Sequence, residues 1–140
     1  MAQRIQDIMT KQIHTVSADA TLVDIARLMR DKRIGNVLVT NPDGTLRGIV
    51  TDRDIVVRAI AAGKPLDKTK VAEISTEQPV QVGPEQSVDE AVKIMRERAI
   101  RRIPVVRDRQ PVGIVTIGDL ARVKDPESAL AQISSAAPNN

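Results

Sequence analysis

Residues Gly48–Asp54 read GIVTDRD, and residues Gly113–Asp119 read GIVTIGD. Each heptapeptide begins with Gly-Ile-Val, which favours a buried strand, and places a Thr three residues before an Asp. Thr-x-x-Asp at the start of a helix predicts a capping box, in which hydroxyl and carboxylate each accept a backbone N–H. The chain therefore contains one strand–turn–helix element twice. Each turn brings a hydroxyl, a carboxylate and free N–H groups to one place.

The duplication extends well beyond these turns. Similar residues recur at one constant offset, as in Val16 and Val82 or Met29 and Met95. The offset shortens by one residue after the hairpin, where residues 41–44 (NPDG) are matched by the shorter 108–110 (DRQ). Such self-similarity indicates an internal repeat, and a loop tip is where a deletion is tolerated.

Each copy is predicted to contain a strand, a helix, two strands forming a hairpin, and a second helix. The helices are expected to follow Thr21, Thr51, Ser87 and Thr116, with Asp24 and Glu90 closing further capping boxes. The first copy should have strands at 13–16, 36–40 and 46–50 and a helix from Thr51 to about Ala62, and the second copy strands at 103–106 and 112–115. Asp125-Pro126-Glu127 predicts the start of a tail helix, and Ser134 to Asn140 are expected to be disordered.

These elements predict a first repeat at residues 5–62, a linker at 63–70, a second repeat at 71–124 and a tail at 125–140. A unit of this size cannot readily bury its own hydrophobic face. We therefore expect an α/β (α+β) domain in which two βαββα repeats pack with approximate two-fold symmetry.

Composition excludes several classes of function. The chain has no Cys and a single His, which argues against disulfides, thiol catalysis and a metal centre. It has no Phe, Trp or Tyr, so aliphatic side chains must enclose any planar ligand. The net charge of +3 comes from interleaved acidic and basic residues, which does not favour nucleic-acid binding. No apolar run has the length of a membrane span or a signal core, and a cytoplasmic protein is expected.

The repeated turn has two interpretations that the residues alone leave open. Thr and Asp can act purely as helix caps. Alternatively, an ionised carboxylate can accept both hydroxyls of a ribose diol, while the Thr hydroxyl and helix N–H groups lie near a phosphate. Enzyme activity is not expected, because the chain has no phosphate-binding loop, dinucleotide fingerprint or Cys nucleophile.

The ordered series of motifs resembles a tandem pair of CBS domains (the cystathionine β-synthase type repeat, or Bateman module), as found in free-standing bacterial CBS-pair proteins. The matching stretches are residues 7–10 (DIMT) with Thr15-Val16, residues 100–105 (IRRIPV) and both GIVTxxD turns. The resemblance covers residues 5–124, which is most of the chain.

This resemblance implies that an adenine nucleotide (AMP, ADP or ATP) or a related adenosyl ligand binds in a cleft between the repeats. One implied site combines Thr51 and Asp54 with Val80, Ile100, Arg101 and Arg102. The other combines Thr116 and Asp119 with His14, Ile34, Gly35, Asn36 and Arg53. In each, the Asp would hold the ribose hydroxyls, aliphatic side chains would enclose adenine and arginines would meet phosphate.

The first copy departs from the family pattern, because Gly35-Asn36 and Leu38 stand where the second copy has Arg101-Arg102 and Pro104. We therefore rank the Asp54 site above the Asp119 site.

The function implied is a non-catalytic sensor that changes conformation on binding and signals to an unknown downstream protein. The resemblance also implies a homodimer formed through the helices that follow Thr51 and Thr116. The alternative is a dimeric interaction scaffold that binds no ligand.

Overall fold

The computed structural model describes residues 3–136 and contains helices and strands in the predicted order, with an additional short helical element at the start of each copy. The first copy contains α1 (Ile5–Ile8), β1 (Thr15–Ser17), α2 (Leu22–Lys32), β2 (Asn36–Thr40), β3 (Leu46–Thr51) and α3 (Asp52–Asp54), which continues as a π-helix (Ile55–Ile60). The second copy contains a 3₁₀ turn (Val71–Glu73), β4 (Thr76–Glu77), α4 (Val88–Arg98), β5 (Arg102–Arg107), β6 (Gln110–Thr116), α5 (Ile117–Lys124) and the tail helix α6 (Ala129–Ser135). The predicted mixed α/β class is confirmed.

The chain folds as two compact units whose boundaries do not coincide with the repeats. Unit 2 comprises residues 14–79, whereas unit 1 comprises the described residues 3–13 together with 80–136. Each unit therefore contains most of one repeat and the leading segment of the other.

Unit 2 is built on a four-stranded sheet in the order β1-β2-β3-β4. β1 runs parallel to β2, and the two other pairings are antiparallel. The edge strand β4 belongs to the second copy, and its Thr76 lies opposite Ile49. Helix α2 packs its apolar face on this sheet, with Leu22, Ile25 and Met29 buried in the core.

Unit 1 repeats the same arrangement around the β5-β6 hairpin. Val82 bridges Val105 in parallel on one side, and Thr10 bridges Ile114 in antiparallel fashion on the other. Ile5 comes from the first copy and is fully buried among the side chains of the second. Each unit thus completes its sheet and core with the segment that precedes the other copy.

The segment predicted as a linker, residues 63–70, lies within unit 2 and is hydrogen-bonded to helix α2. The carbonyls of Leu66 and Thr69 accept the N–H groups of Val23 and Leu22 at 3.1 and 3.0 Å. These donors lie in the first turn of α2, where N–H groups have no partner inside the helix. The segment therefore stabilises the start of α2.

Some local predictions need correction. The helix after Thr51 changes to π-type hydrogen bonding at Ile55 and is helical only to Ile60, because bonds such as Ala61 N–H to Val56 O span five residues. At Thr21 and Ser87, among the described residues, only the hydroxyl half of the predicted capping box forms. The Glu90 carboxylate accepts from Gln86 Nε2 instead.

The tail helix begins later and ends later than predicted. Asp125 still belongs to the end of α5, since its N–H donates to Ala121 O at 2.8 Å, and Pro126 prevents further winding. Ser128 is the N-cap of α6, and its hydroxyl accepts from Ala131 N–H at 3.1 Å. Ser134 and Ser135 are helical, whereas residues 137–140 of the predicted disordered end lie outside the described residues. None of the described helices is long and apolar enough to cross a bilayer.

Candidate functional site

The first repeated turn joins β3 to α3 in unit 2 and forms the predicted capping box. Thr51 N–H donates to Asp54 Oδ2 at 2.8 Å, and Asp54 N–H donates to Thr51 Oγ1 at 3.1 Å. Gly48 precedes this turn where β4 crosses close by, and a Cβ there would lie 2.7 Å from the carbonyl oxygen of Thr76. The local sequence therefore positions the carboxylate at a helix start beside a sheet edge.

The Asp54 carboxylate keeps one oxygen available. Oδ2 is used by the cap, while the nearest cation to Oδ1 is Arg58 Nε at 3.7 Å, an ion-pair distance beyond hydrogen bonding. The side chain is 16% exposed. Arg58 is held beside it by an Nη1 hydrogen bond to Ile74 O at 3.2 Å. Asp54 is thus a partly exposed anion with unused acceptor capacity.

The second turn, at the start of α5 in unit 1, has the same capping box and a different surrounding. Thr116 N–H donates to Asp119 Oδ2 at 3.0 Å, and Asp119 N–H donates to Thr116 Oγ1 at 3.1 Å. The Thr10 hydroxyl lies 3.3 Å from Asp119 Oδ1 and 3.2 Å from Oδ2, so it is shared between them. Arg122 Nη2 donates to Oδ1 as well. Asp119 is only 2% exposed.

The two Asp residues therefore differ in acceptor capacity even though their sequences match. Three donors engage the two oxygens of Asp119, and the one proton of the Thr10 hydroxyl is shared between them, so little acceptor capacity remains. Thr76 is the residue of unit 2 that corresponds to Thr10, but within residues 3–136 no hydrogen bond joins it to Asp54. The Asp54 carboxylate can therefore accept a hydrogen bond from another donor where Asp119 accepts from Thr10.

Gly35-Asn36 and Arg101-Arg102, which the family resemblance assigns to the ligand sites, each lie beside the Thr-x-x-Asp turn of their own repeat. Asp52 N–H donates to Gly35 O at 3.0 Å, and Asn36 lies opposite Thr51. In unit 1, Ile117 N–H donates to Arg101 O at 2.9 Å, and Arg102 lies opposite Thr116.

The remaining predicted site residues divide between the units. Unit 2 holds Thr51 and Asp54 together with His14, Ile34, Gly35, Asn36 and Arg53, and unit 1 holds Thr116 and Asp119 together with Val80, Ile100, Arg101 and Arg102. Ile34, Val80 and Ile100 are partly buried against the core of their own unit. Arg53 and Arg101 are exposed. Each predicted site thus draws on both units, and the two combinations stay predictions.

Three side chains at these turns did not emerge from the sequence as site residues. Thr10 could have been noticed because Thr76 repeats it at the constant offset. Arg58 and Arg122 follow Asp54 and Asp119 by four and three residues, a spacing that brings side chains together on a helix. No group of three or more His, Cys, Asp or Glu side chains that could hold a metal ion occurs among the described residues.

Comparison with known proteins gives consistent results. The CBS domain family matches residues 5–60 and 71–125. Hypoxic response protein 1 of Mycobacterium tuberculosis is 35% identical over 131 residues, which cover 94% of this chain and 91% of that protein. A crystal structure of Hypoxic Response Protein I with two coordinated zinc ions superposes with a TM-score of 0.78 at 34% identity, covering 86% of this chain and 98% of that one.

Two solved structures contain adenosyl ligands. The CBS domain pair of protein MJ0100, in complex with 5′-methylthioadenosine and S-adenosyl-L-methionine, has a TM-score of 0.80 at 27% identity and covers 91% of this chain and 100% of that one. CBSX2 in complex with AMP has a TM-score of 0.74 at 28% identity and covers 86% of this chain and 94% of that one.

Proposed function

Because this chain belongs to the CBS-domain family, as a tandem pair of CBS domains, we propose that it is a non-catalytic regulatory module that binds an adenosyl ligand through Asp54. AMP, ADP and ATP are the nucleotides proposed first, with S-adenosylmethionine as a further candidate. AMP, methylthioadenosine and S-adenosylmethionine share an adenosine with a free ribose diol. A residue that holds this diol would therefore serve all of them.

The observation that carries the proposal is the unused acceptor capacity of Asp54. Among the described residues its Oδ1 accepts no hydrogen bond, Arg58 lies at an ion-pair distance of 3.7 Å, and the carboxylate is partly exposed. A carboxylate can accept from two adjacent hydroxyls, and hydrogen bonds to a charged acceptor are the strong ones. The Thr51 hydroxyl can donate to an anionic portion of the ligand while its oxygen accepts the Asp54 N–H.

The partners proposed for Asp54 follow the family resemblance. Val80 and Ile100 would contact adenine, which in a chain without aromatic residues must lie between aliphatic side chains. Arg101 and Arg102 would meet phosphate, and the exposed guanidinium of Arg101 is available for such a contact. Binding would favour one arrangement of the two units, and a downstream protein would respond to that arrangement.

Calorimetric titration with AMP, ADP, ATP and S-adenosylmethionine tests the proposal. Asp54→Asn retains an oxygen that can cap Thr51 N–H but loses the charge and one acceptor. Losing a hydrogen bond to a charged group costs roughly 1.5–3 kcal/mol, so the affinity should fall about 10- to 100-fold. Asp52→Asn is the matched control, because Asp52 lies in the same turn and is exposed, and within residues 3–136 its side chain accepts only from Arg53 N–H. Equal affinity of the Asp54→Asn protein and the wild type would contradict the proposal.

The second candidate is an interaction scaffold without a ligand. It is favoured by the capping boxes, because Asp54 and Asp119 both stabilise helix starts without any bound molecule. No heat of binding with any ligand of the panel, from a folded protein, would support this function over the first.

Both functions include self-association, which we propose to involve the exposed apolar side chains of the helices. In unit 2 these are Val56, Val57 and Ile60, and in unit 1 they are Ile117, Leu130 and Ile133. Unit 1 also has an apolar groove of about 350 Å³ between α4, α5 and α6. Surfaces of this kind mark interaction sites.

A further inference from the structure

The C-terminal tail helix α6 packs directly on the first turn of α5, which carries Asp119. Gly118 is the residue that permits this contact, because a Cβ there would lie 2.5 Å from Ser134 Oγ and 2.8 Å from Ser134 Cβ. Those distances are too short for a real side chain. Any residue larger than glycine at this position must displace α6 or distort the turn.

Arg122 joins the tail helix to the Asp119 carboxylate. Its Nη1 donates to Ser134 O at 2.8 Å, near the C-terminal end of α6, where carbonyls lack helical partners and cations are favoured. Its Nη2 donates to Asp119 Oδ1. Thr10 contacts both oxygens of the same carboxylate. The acceptor that would hold a ribose is therefore occupied by side chains of unit 1.

The first copy differs at the corresponding positions, although Arg58 lies at an ion-pair distance of 3.7 Å from Asp54. Arg53 and Val57 stand at the positions of Gly118 and Arg122, counted from the Thr of each turn. Arg53 is exposed, so its side chain extends into solvent at the place where Gly118 admits α6. Asp54 is 16% exposed, compared with 2% for Asp119.

We infer that α6, Arg122 and Thr10 together form an intramolecular lid that closes the Thr116–Asp119 turn to adenosyl ligands, so that each chain binds one ligand and not two. The inference rests on the proposed function for the identity of the ligand. The tail helix α6 is thus autoinhibitory at the Thr116–Asp119 turn but not at the Thr51–Asp54 turn. Release of α6 opens the second site.

Two full-length variants test the lid by giving the second copy the residues of the first. Gly118→Arg removes the space for Ser134, and Arg122→Val removes the bridge between Asp119 and α6. Gln132→Arg is the matched control, since it adds the same charge to an exposed position of α6. Hydrogen exchange of the amides of residues 129–135 reports whether α6 is released. Calorimetry with AMP and with S-adenosylmethionine reports the number of ligands bound.

The expected result is one ligand per chain in the wild type and in Gln132→Arg, and two per chain in Gly118→Arg and Arg122→Val. Adding Asp119→Asn to either variant should return the number to one. Two ligands in the wild type, with one lost in Asp119→Asn, would overturn the lid. The lid would also be overturned if the amides of α6 exchanged rapidly in a variant that still bound one ligand. Slow amide exchange of α6 in both Gly118→Arg and Arg122→Val would likewise overturn it.

Failure of the proposed function gives a different pattern. If the wild type binds neither ligand but the variants bind one that requires Asp119, the lid stands and the Asp54 site is wrong. If none of the proteins binds either ligand, both inferences are wrong.

Discussion

Replacing Asp119 should destabilise the protein far more than replacing Asp54, although both are capping residues in matching turns. Asp119→Ala removes the acceptor of Thr116 N–H, of the Thr10 hydroxyl and of Arg122 at a site that is 2% exposed. Asp54→Ala removes the acceptor of Thr51 N–H and a 3.7 Å ion pair to a half-exposed Arg58. The difference in burial and in contacts determines the difference in cost.

The magnitudes follow from those contacts. A lost hydrogen bond to a charged group costs about 1.5 kcal/mol or more, and the hydrogen bond from the hydroxyl of Thr10, an exposed residue, contributes about 1 kcal/mol. The partly exposed pair with Arg122 adds about 0.5 kcal/mol. Asp119→Ala should therefore lower the free energy of unfolding by about 3 kcal/mol, whereas losing a cap, as in Asp54→Ala, costs about 1 kcal/mol.

Differential scanning calorimetry and urea unfolding measure these changes. For a chain of this size, 1 kcal/mol corresponds to about 4 °C in Tm, so the expected losses are about 12 °C for Asp119→Ala and about 4 °C for Asp54→Ala. Asp52→Ala serves as the control and should shift Tm by less than about 2 °C, since an exposed side chain contributes little. Equal losses at Asp119 and Asp54 would refute the assignment of Asp119 as a saturated, buried carboxylate.

Two further predictions concern other parts of the molecule. Ser75 Oγ is buried without a hydrogen-bond partner among the described residues, so Ser75→Ala should raise Tm by a few degrees, corresponding to about 1 kcal/mol; a clear loss of stability would show that the hydroxyl has a partner. Val57→Glu and Ile60→Glu each place a charge on an exposed apolar position, so the sedimentation coefficient should fall toward that of the monomer while Tm changes little. Lys64→Glu, at an exposed polar position nearby, is the control and should leave the oligomer unchanged. An unchanged sedimentation coefficient in both glutamate variants would place the self-association surface elsewhere.

The sequence was informative wherever structure depends on near neighbours along the chain. The reciprocal bonds of Thr51 with Asp54 and of Thr116 with Asp119 span three residues, and residue types alone predicted them. Strand β2 was predicted with the bounds that the structure has, because its apolar run is flanked by turn residues. The start of α6 was misplaced by competition between two local signals, Asp125-Pro126 and Ser128.

Long-range pairing could not be obtained in the same way. Thr10 and Asp119 are separated by 109 residues. The two copies have nearly the same strand sequences, so the strand of either copy could pair with the segment around Ile5 or with the segment around Thr76. The hydrophobic periodicity of the sequence cannot show which pairing forms. The unequal exposure of Asp54 and Asp119 follows from that choice and from the packing of Ser134 on Gly118. The sequence ranked the Asp54 site above the Asp119 site because Gly35-Asn36 replaces Arg101-Arg102 in the first copy, and not because of burial. That ranking stays a prediction.

Each unit contains the segment that precedes the other copy, and this arrangement sets the order in which the two units can fold during synthesis. Unit 2 is a continuous stretch, residues 14–79, and all of its strands and buried side chains are available once residue 79 has left the ribosome. Ile5 was made before any of them, yet the core that buries it includes Leu120. Ile5 must therefore wait, with its apolar side chain unprotected, until Leu120 has been synthesised. During that interval the segment around Ile5 is exposed to misfolding and aggregation.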